Sequence, residues 1–179
     1  MTRIGSVYAQ GLYDLTKEEG VDTAVLEQLK VLRESFQAEP GFVRLLSAPN
    51  LSKQERCAVL DESFRGRVHP YVLNFLKLLT EKGYIRHFSD CCKAYRSLYN
   101  RDHGILEVNA LTAAPLTDEL KKKLTDKLAA ITGKTVELQC RVDPSVLGGV
   151  RLDYDGKRVD GTVKNRLDAM AALLKNTVL

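Results

Sequence analysis

Cys91 and Cys92 stand side by side, with His87 four residues before the first of them. Thiols and an imidazole are the parts from which metal sites and nucleophiles are built. On a helix His87 and Cys91 share a face, but Cys91 and Cys92 diverge by about 100° and cannot hold one ion together. Two ligands are too few, and no other His or Cys pair has metal spacing. The expected role is structural, because a free cysteine packs as a small hydrophobe. No Ser-His-Asp set is supported by a strained G-x-S-x-G turn. Neither G-x-x-x-x-G-K-[ST] nor G-x-G-x-x-G occurs, so no phosphate cradle is indicated. Leu147-Gly148-Gly149-Val150 reads as a turn or bulge whose glycines take an unusual φ. No catalytic residue, metal or cofactor is expected.

Nucleic-acid binding needs clustered positive charge. Lys121-Lys122-Lys123 is a basic run, but on a helix it wraps about 200° and reads as a solvated face with Asp126 and Lys127. The segment Gly156 to Gly161 (GKRVDG) forms a basic hairpin that could touch a phosphate, yet no exposed aromatics accompany it to stack bases. It supports a rival reading, a basic adaptor binding RNA through the C-terminal hairpin. The charge argues against it. The 179 residues carry a net charge of +4, with 15 basic and 13 acidic residues before Ile105 and 12 and 10 from there on. The excess is spread rather than gathered on one face.

With 44% hydrophobic and 28% charged residues, the composition is that of a folded domain rather than a disordered chain. No apolar run approaches the roughly 20 residues needed to span a bilayer. The start, MTRIGSVYAQGLYDL, lacks the apolar core of a signal peptide, so a cytosolic location is expected and the four cysteines should be reduced.

Helical periodicity fills the first hundred residues. Ile4, Val7, Tyr8, Gly11, Leu12 and Leu15 form one stripe, and Gly20 stops that helix. Val25, Leu29, Leu32 and Phe36 mark a second helix, ended by Pro40-Gly41. Phe42 to Leu46 makes a short third. Ser52 and Glu55 form a capping box that opens a fourth. Pro70 sits in the first turn of a fifth, which buries Val72, Phe75, Leu76 and Leu79 and stops at Gly83. Tyr84, Phe88, Cys91, Tyr95 and Leu98 stripe a sixth.

The period changes after His103-Gly104. Ile105 to Thr112 reads as a strand. Leu116, Leu120, Leu124, Leu128 and Ile131 mark a helix with Thr117 as its N-cap. Thr135 to Val142 alternates with period two. Val150 to Tyr154 and Lys157 to Asp160 pair across an Asp155-Gly156 turn. Val163, Leu167, Met170 and Leu174 stripe a final helix. The expected class is α+β: an N-terminal six-helix bundle over 1–104 and a small C-terminal α/β domain over 105–179.

Without reactive groups, protein binding remains. Helix one groups Tyr8, Gly11 and Leu12, and a mid-helix Gly costs roughly 1 kcal/mol relative to Ala, which a close helix approach would explain. Helix five carries Tyr71, Asn74, Phe75 and Leu78 beside its core stripe. Two such helices can form a groove for an amphipathic partner helix.

The stretch Val142 to Met170 resembles the signature of the delta subunit of F-type ATP synthases, the family of the oligomycin-sensitivity-conferring protein. The resemblance rests on Asp143, Leu147-Gly148-Gly149-Val150, Asp160-Gly161-Thr162-Val163 and Arg166-Leu167. Tyr8-Ala9-Gln10-Gly11-Leu12-Tyr13 is similar to the family's opening Tyr-Ala-x-Ala-Leu-Phe pattern, with Gly11 for Ala. Leu79-Thr80-Glu81-Lys82-Gly83-Tyr84 is similar to the end of its fifth helix.

The resemblance implies a non-catalytic stator protein in the peripheral stalk. Its N-terminal domain would hold alpha-subunit N-terminal helices of the catalytic head, in a groove lined by Tyr8, Gly11, Leu12, Asn74, Phe75 and Leu78. Its C-terminal domain would hold the C-terminal ends of the b subunits. A single copy would sit at the cytoplasmic face of the cell membrane, touching the membrane only through the complex, and would be a monomer when isolated. Gly148, Gly149, Asp160, Gly161, Arg166 and Leu167 would be mainly structural, with Asp160 capping the last helix or pairing with Arg166.

Overall fold

The computed structural model describes residues 2–144, 146, 148–154, 156–163 and 165. The protein is α+β, with seven α-helices and one four-stranded sheet among the described residues. It divides into two compact units, Met1–Tyr99 and Asn100–Leu179.

The first unit is helical. α1 (Arg3–Glu18) is capped by the Thr2 side chain and followed by Gly20 at φ 67°. α2 (Asp22–Ala38) buries Val25, Leu29, Leu32 and Phe36, the four apolar positions of its stripe. α3 (Pro40–Leu46) begins on Pro40 itself, since the first turn has no use for that N–H. α4 (Lys53–Phe64) opens on a reciprocal box. The Ser52 hydroxyl accepts from the Glu55 amide at 3.2 Å, and the Ser52 amide donates to the Glu55 carboxylate at 2.7 Å. α5 (Pro70–Glu81) buries Val72, Leu73, Phe75, Leu76, Leu79 and Thr80. A 3-10 turn over Ile85–His87 leads into α6 (Phe88–Asp102).

Two stripes are displaced from expectation. On α6 the buried residues are Phe88, Cys91, Cys92, Ala94, Tyr95 and Tyr99. Tyr84 precedes the helix, because the 3-10 turn interrupts the period, and Leu98 is only half-buried. On α1 the core side is Gly5, Ala9, Leu12, Tyr13 and Thr16, whereas Val7, Gly11 and Leu15 face solvent. The apolar arc of α1 is wider than the core needs, and Gly5, Ala9 and Thr16 turn inward where helices pack closely.

The second unit holds the sheet, ordered β2-β1-β3-β4. β1 (Ile105–Thr112) lies inside it and buries Leu106, Val108, Ala110 and Thr112 on alternate positions. α7 (Asp118–Thr132), capped by Thr117 and ended by Gly133 at φ 68°, crosses to β2 (Thr135–Val142), which runs parallel to β1. β3 (Val150–Tyr154) pairs antiparallel with β1 and with β4 (Lys157–Asp160). No α7 residue is fully buried, and Leu120 and Ile131 of its stripe are exposed. Gly156 takes φ 72° in the β3–β4 turn, while Asp155 lies outside the described residues. So do Leu147, Arg166 and Leu167 of the signature, and Met170 and Leu174 of the expected final stripe.

Candidate docking site

α1 and α5 pack side by side. Along α1, Val7 is 64% and Leu15 41% exposed, with exposed Gly11 midway between them at the i, i+4, i+8 spacing of one helix face. Along α5, Leu78 is 40% exposed, Asn74 is exposed and Tyr71 is half-buried. Tyr8 is half-buried, its ring edge-on to Tyr84 with centroids 5.8 Å apart. Leu12 and Phe75, expected to line this groove, are each only 6% exposed and belong to the core beneath it. Val7 and Leu15, two positions of the α1 stripe that were not among the expected groove residues, are exposed on this surface. Their signal was present as excess width of the apolar arc.

The two helices are held from below and from the ends. Tyr13 and Tyr95 meet edge to face at 5.3 Å, which joins α1 to α6. The Thr16 and Tyr95 hydroxyls are 2.7 Å apart, and the Tyr95 hydroxyl donates to the Asp22 carbonyl at 3.1 Å. Burial pushes the Tyr95 hydroxyl up to about 12, so it stays neutral. The close helix approach expected at Gly11 occurs at Gly5 instead. A Cβ there would lie 3.0 Å from the Asp90 Cβ, whereas one on Gly11 would meet nothing within 4 Å. A hydrogen bond from the Thr2 side chain holds the Asp90 carboxyl below its ordinary range, latching the start of α1 to α6.

α5 is fixed in the same manner. Its N-cap His69 accepts from the Tyr71 amide through Nδ1 at 3.3 Å and donates its own amide to Gln28 of α2 at 2.7 Å. Asp61 of α4 takes Lys77 of α5 at 2.7 Å and Arg65 at 3.1 Å, and the Lys77 hydrogen bond leads in holding its carboxyl below the usual range.

The groups that could do covalent chemistry are disarmed. Burial pushes the Cys91 thiol up to about 11 and the Cys92 thiol up to about 12, so neither supplies a thiolate near neutrality. Cys92 donates to the Leu29 carbonyl at 3.7 Å. Burial, then Glu81, raises Cys57 as well. Among the described residues no three His, Cys, Asp or Glu side chains gather as metal ligands.

In the second unit the two glycine segments of the signature clasp each other. Gly148 and Gly149 take φ of 127° and 86°. A Cβ on Gly149 would lie 2.5 Å from the Gly161 carbonyl oxygen and 2.8 Å from the Thr162 Cα. The Gly161 amide donates to the Val150 carbonyl, and the Val163 amide to that of Gly148, both at 3.0 Å. Asp160 does not cap the following turn directly. Its Oδ1 accepts from the Thr162 hydroxyl at 2.6 Å and the Thr162 amide at 3.0 Å, and the Thr162 hydroxyl accepts from the Asn165 amide at 3.3 Å. Thr162 is therefore the capping residue and Asp160 its support. These bonds hold the Asp160 carboxyl below its ordinary range, the Thr162 hydroxyl leading. The suggested Asp160–Arg166 pair falls outside the described residues.

The profile of one family, described as ATP synthase delta (OSCP) subunit, matches residues 4–174. The chain belongs to the ATP synthase delta (OSCP) subunit family. It is 33% identical over 172 residues to "ATP synthase subunit delta" of Alkaliphilus oremlandii, covering 96% of each chain. It is 31% identical over 176 residues to the protein of that name from Clostridioides difficile, covering 98% of this chain and 97% of the relative. Its fold is that of a chain in the cryo-EM structure of the Toxoplasma gondii mitochondrial ATP synthase hexamer. The TM-score is 0.78 at 19% identity, covering 97% of this chain and 98% of that one.

A member of the delta (OSCP) family is a structural, peripheral-stalk subunit of ATP synthase and not a catalytic one. The clasp and the α1–α5 surface suit that role, since both are built to hold shape. No described helix is long and apolar enough to cross a membrane. The RNA-adaptor reading loses its footing, because family membership assigns another role and Arg158 of the basic hairpin is paired with Asp153 at 2.6 Å.

Proposed function

We propose that this delta-family subunit joins the catalytic head to the stalk through two separate grips. The N-terminal six-helix bundle, residues 1–104, holds the amphipathic N-terminal helix of an alpha subunit on α1 and α5. Val7, Tyr8, Gly11, Leu15, Asn74 and Leu78 line the contact, with Leu12 and Phe75 as its buried floor. The C-terminal domain, residues 105–179, holds the C-terminal ends of the b subunits. One copy serves each complex at the cytoplasmic face of the cell membrane, and its two grips resist the torque of rotation during ATP synthesis.

The observation that carries this reading is the exposed apolar row Val7–Gly11–Leu15 of α1, together with exposed Leu78 on α5, a helix in contact with α1. Apolar surface left in water is unfavourable by about 25 cal/mol per Å², and a partner helix laid on it recovers that energy less the ordering cost. A static coupling needs slow dissociation and no reactive group. Titration calorimetry with a synthetic peptide of the alpha-subunit N-terminal helix tests the head grip. Leu15→Asp and Leu78→Asp are each expected to weaken binding at least about tenfold, with the helical circular dichroism of the chain retained. Unchanged affinity in both variants would remove the groove.

A further inference from the structure

The clasp of the second unit joins two residue types that are chemically fragile when adjacent. Asp160 serves as the acceptor that supports the Thr162 cap. Gly161 is favoured by close approach, since a Cβ on it would lie 3.2 Å from the Val150 carbonyl oxygen. An Asp-Gly pair isomerises readily, because glycine leaves its amide nitrogen unshielded beside the aspartate carboxyl. In that reaction the Gly161 nitrogen attacks Asp160 Cγ. The nitrogen gives up its proton and the carboxyl its hydroxyl, together as one water, and a cyclic succinimide closes. Water then adds back to either ring carbonyl. Opening at the side-chain carbonyl restores aspartate. Opening at the main-chain carbonyl leaves the chain running through the side-chain carbon, as isoaspartate. The sum is an isomerisation that needs only the water it loses and regains.

Each group this reaction uses is occupied while the clasp is closed. The Gly161 amide donates to the Val150 carbonyl at 3.0 Å. The Asp160 Oδ1 accepts from the Thr162 hydroxyl at 2.6 Å and the Thr162 amide at 3.0 Å. The Asp160 carbonyl, the third side of the dipeptide, accepts from the Asn165 side-chain amide at 2.9 Å. The Thr162 bonds also favour the ionised carboxyl, which has no hydroxyl to lose as water. We propose that Asp160-Gly161 is a masked isomerisation site, silent while the clasp is closed and converted to isoaspartate in molecules whose clasp has opened. Reclosing does not undo the conversion. Isoaspartate adds a methylene to the main chain between Asp160 and Gly161, which offsets Gly161 from Val150 and takes the carboxylate away from Thr162. The same bonds that shape the clasp therefore protect its chemistry, and each opening risks a permanent covalent change.

Conversion through the open form runs at the dipeptide's own rate multiplied by the fraction of molecules open. The full chain is aged at neutral pH, and trypsin then releases the peptide 159–164, whose aspartate and isoaspartate forms separate by chromatography. Native wild type should convert at least about tenfold more slowly than wild type in urea above its unfolding transition. Thr162→Val removes the hydroxyl bonded to the Asp160 carboxylate and should speed native conversion about tenfold. Thr162→Ser keeps a hydroxyl there and should stay within about twofold of wild type. Equal rates for native and urea-unfolded wild type would overturn the proposal, and that comparison needs no variant to fold. A Thr162→Val rate no higher than that of Thr162→Ser would overturn it as well.

Discussion

At the residue scale, Gly149 is the position with least freedom. Its φ of 86° disfavours any side chain, and a Cβ would strike the Gly161–Thr162 backbone. Gly149→Ala should destabilise the C-terminal unit by about 2–4 kcal/mol, from left-handed strain plus displaced backbone. Thermal unfolding monitored by circular dichroism checks it. A midpoint equal to that of the wild type would show that the clasp does not matter. The glycine pair was legible as a turn, because two adjacent glycines before a strand have few other uses. Its clasp with Gly161 was not, since those segments meet only after the β3–β4 hairpin brings them together. For the same reason the cap on the final turn was misassigned. Asp160 and Thr162 are both capping types, and only the hydrogen-bond geometry tells the cap from its support.

At the element scale, several helix boundaries followed from local signals: the Ser52–Glu55 box, Pro70 in a first helical turn, and Gly20 and Gly83 after helix ends, whereas Pro40, which reads as a break before a helix at Phe42, itself opens α3. Faces were harder. Apolar positions on α1 cover two adjacent arcs, and hydrophobicity alone does not say which meets the core. The small residues Gly5, Ala9 and Thr16 decided it, because close packing against α6 and a buried hydroxyl partner reward small side chains there. Tyr95 is the hub of that packing. Tyr95→Phe leaves the ring contact with Tyr13 but removes the hydroxyl bonded to Thr16 and the Asp22 carbonyl. It should cost about 1–2 kcal/mol, read as a lower thermal midpoint. Retention of the wild-type midpoint would mean that the hydroxyl contributes no net stability.

At the scale of the whole molecule, the lack of activated chemistry has a positive meaning. Cys91 and Cys92 are buried and protonated, Asp61 is committed to an ion pair and Asp160 to supporting a cap, and the net charge is spread between the two parts. What it offers is shape: an apolar row on two firmly held helices, and a separate sheet unit closed by a glycine clasp. The family explains the combination, because a peripheral-stalk subunit transmits force and catalyses nothing. The test of that account is ATP synthesis driven by the transmembrane ion gradient in membrane vesicles from cells lacking this chain, with purified protein added back. Wild-type protein should restore synthesis, and Leu15→Asp/Leu78→Asp should fail to restore it although folded. Full synthesis without the chain, or equal restoration by the double variant, would contradict the account.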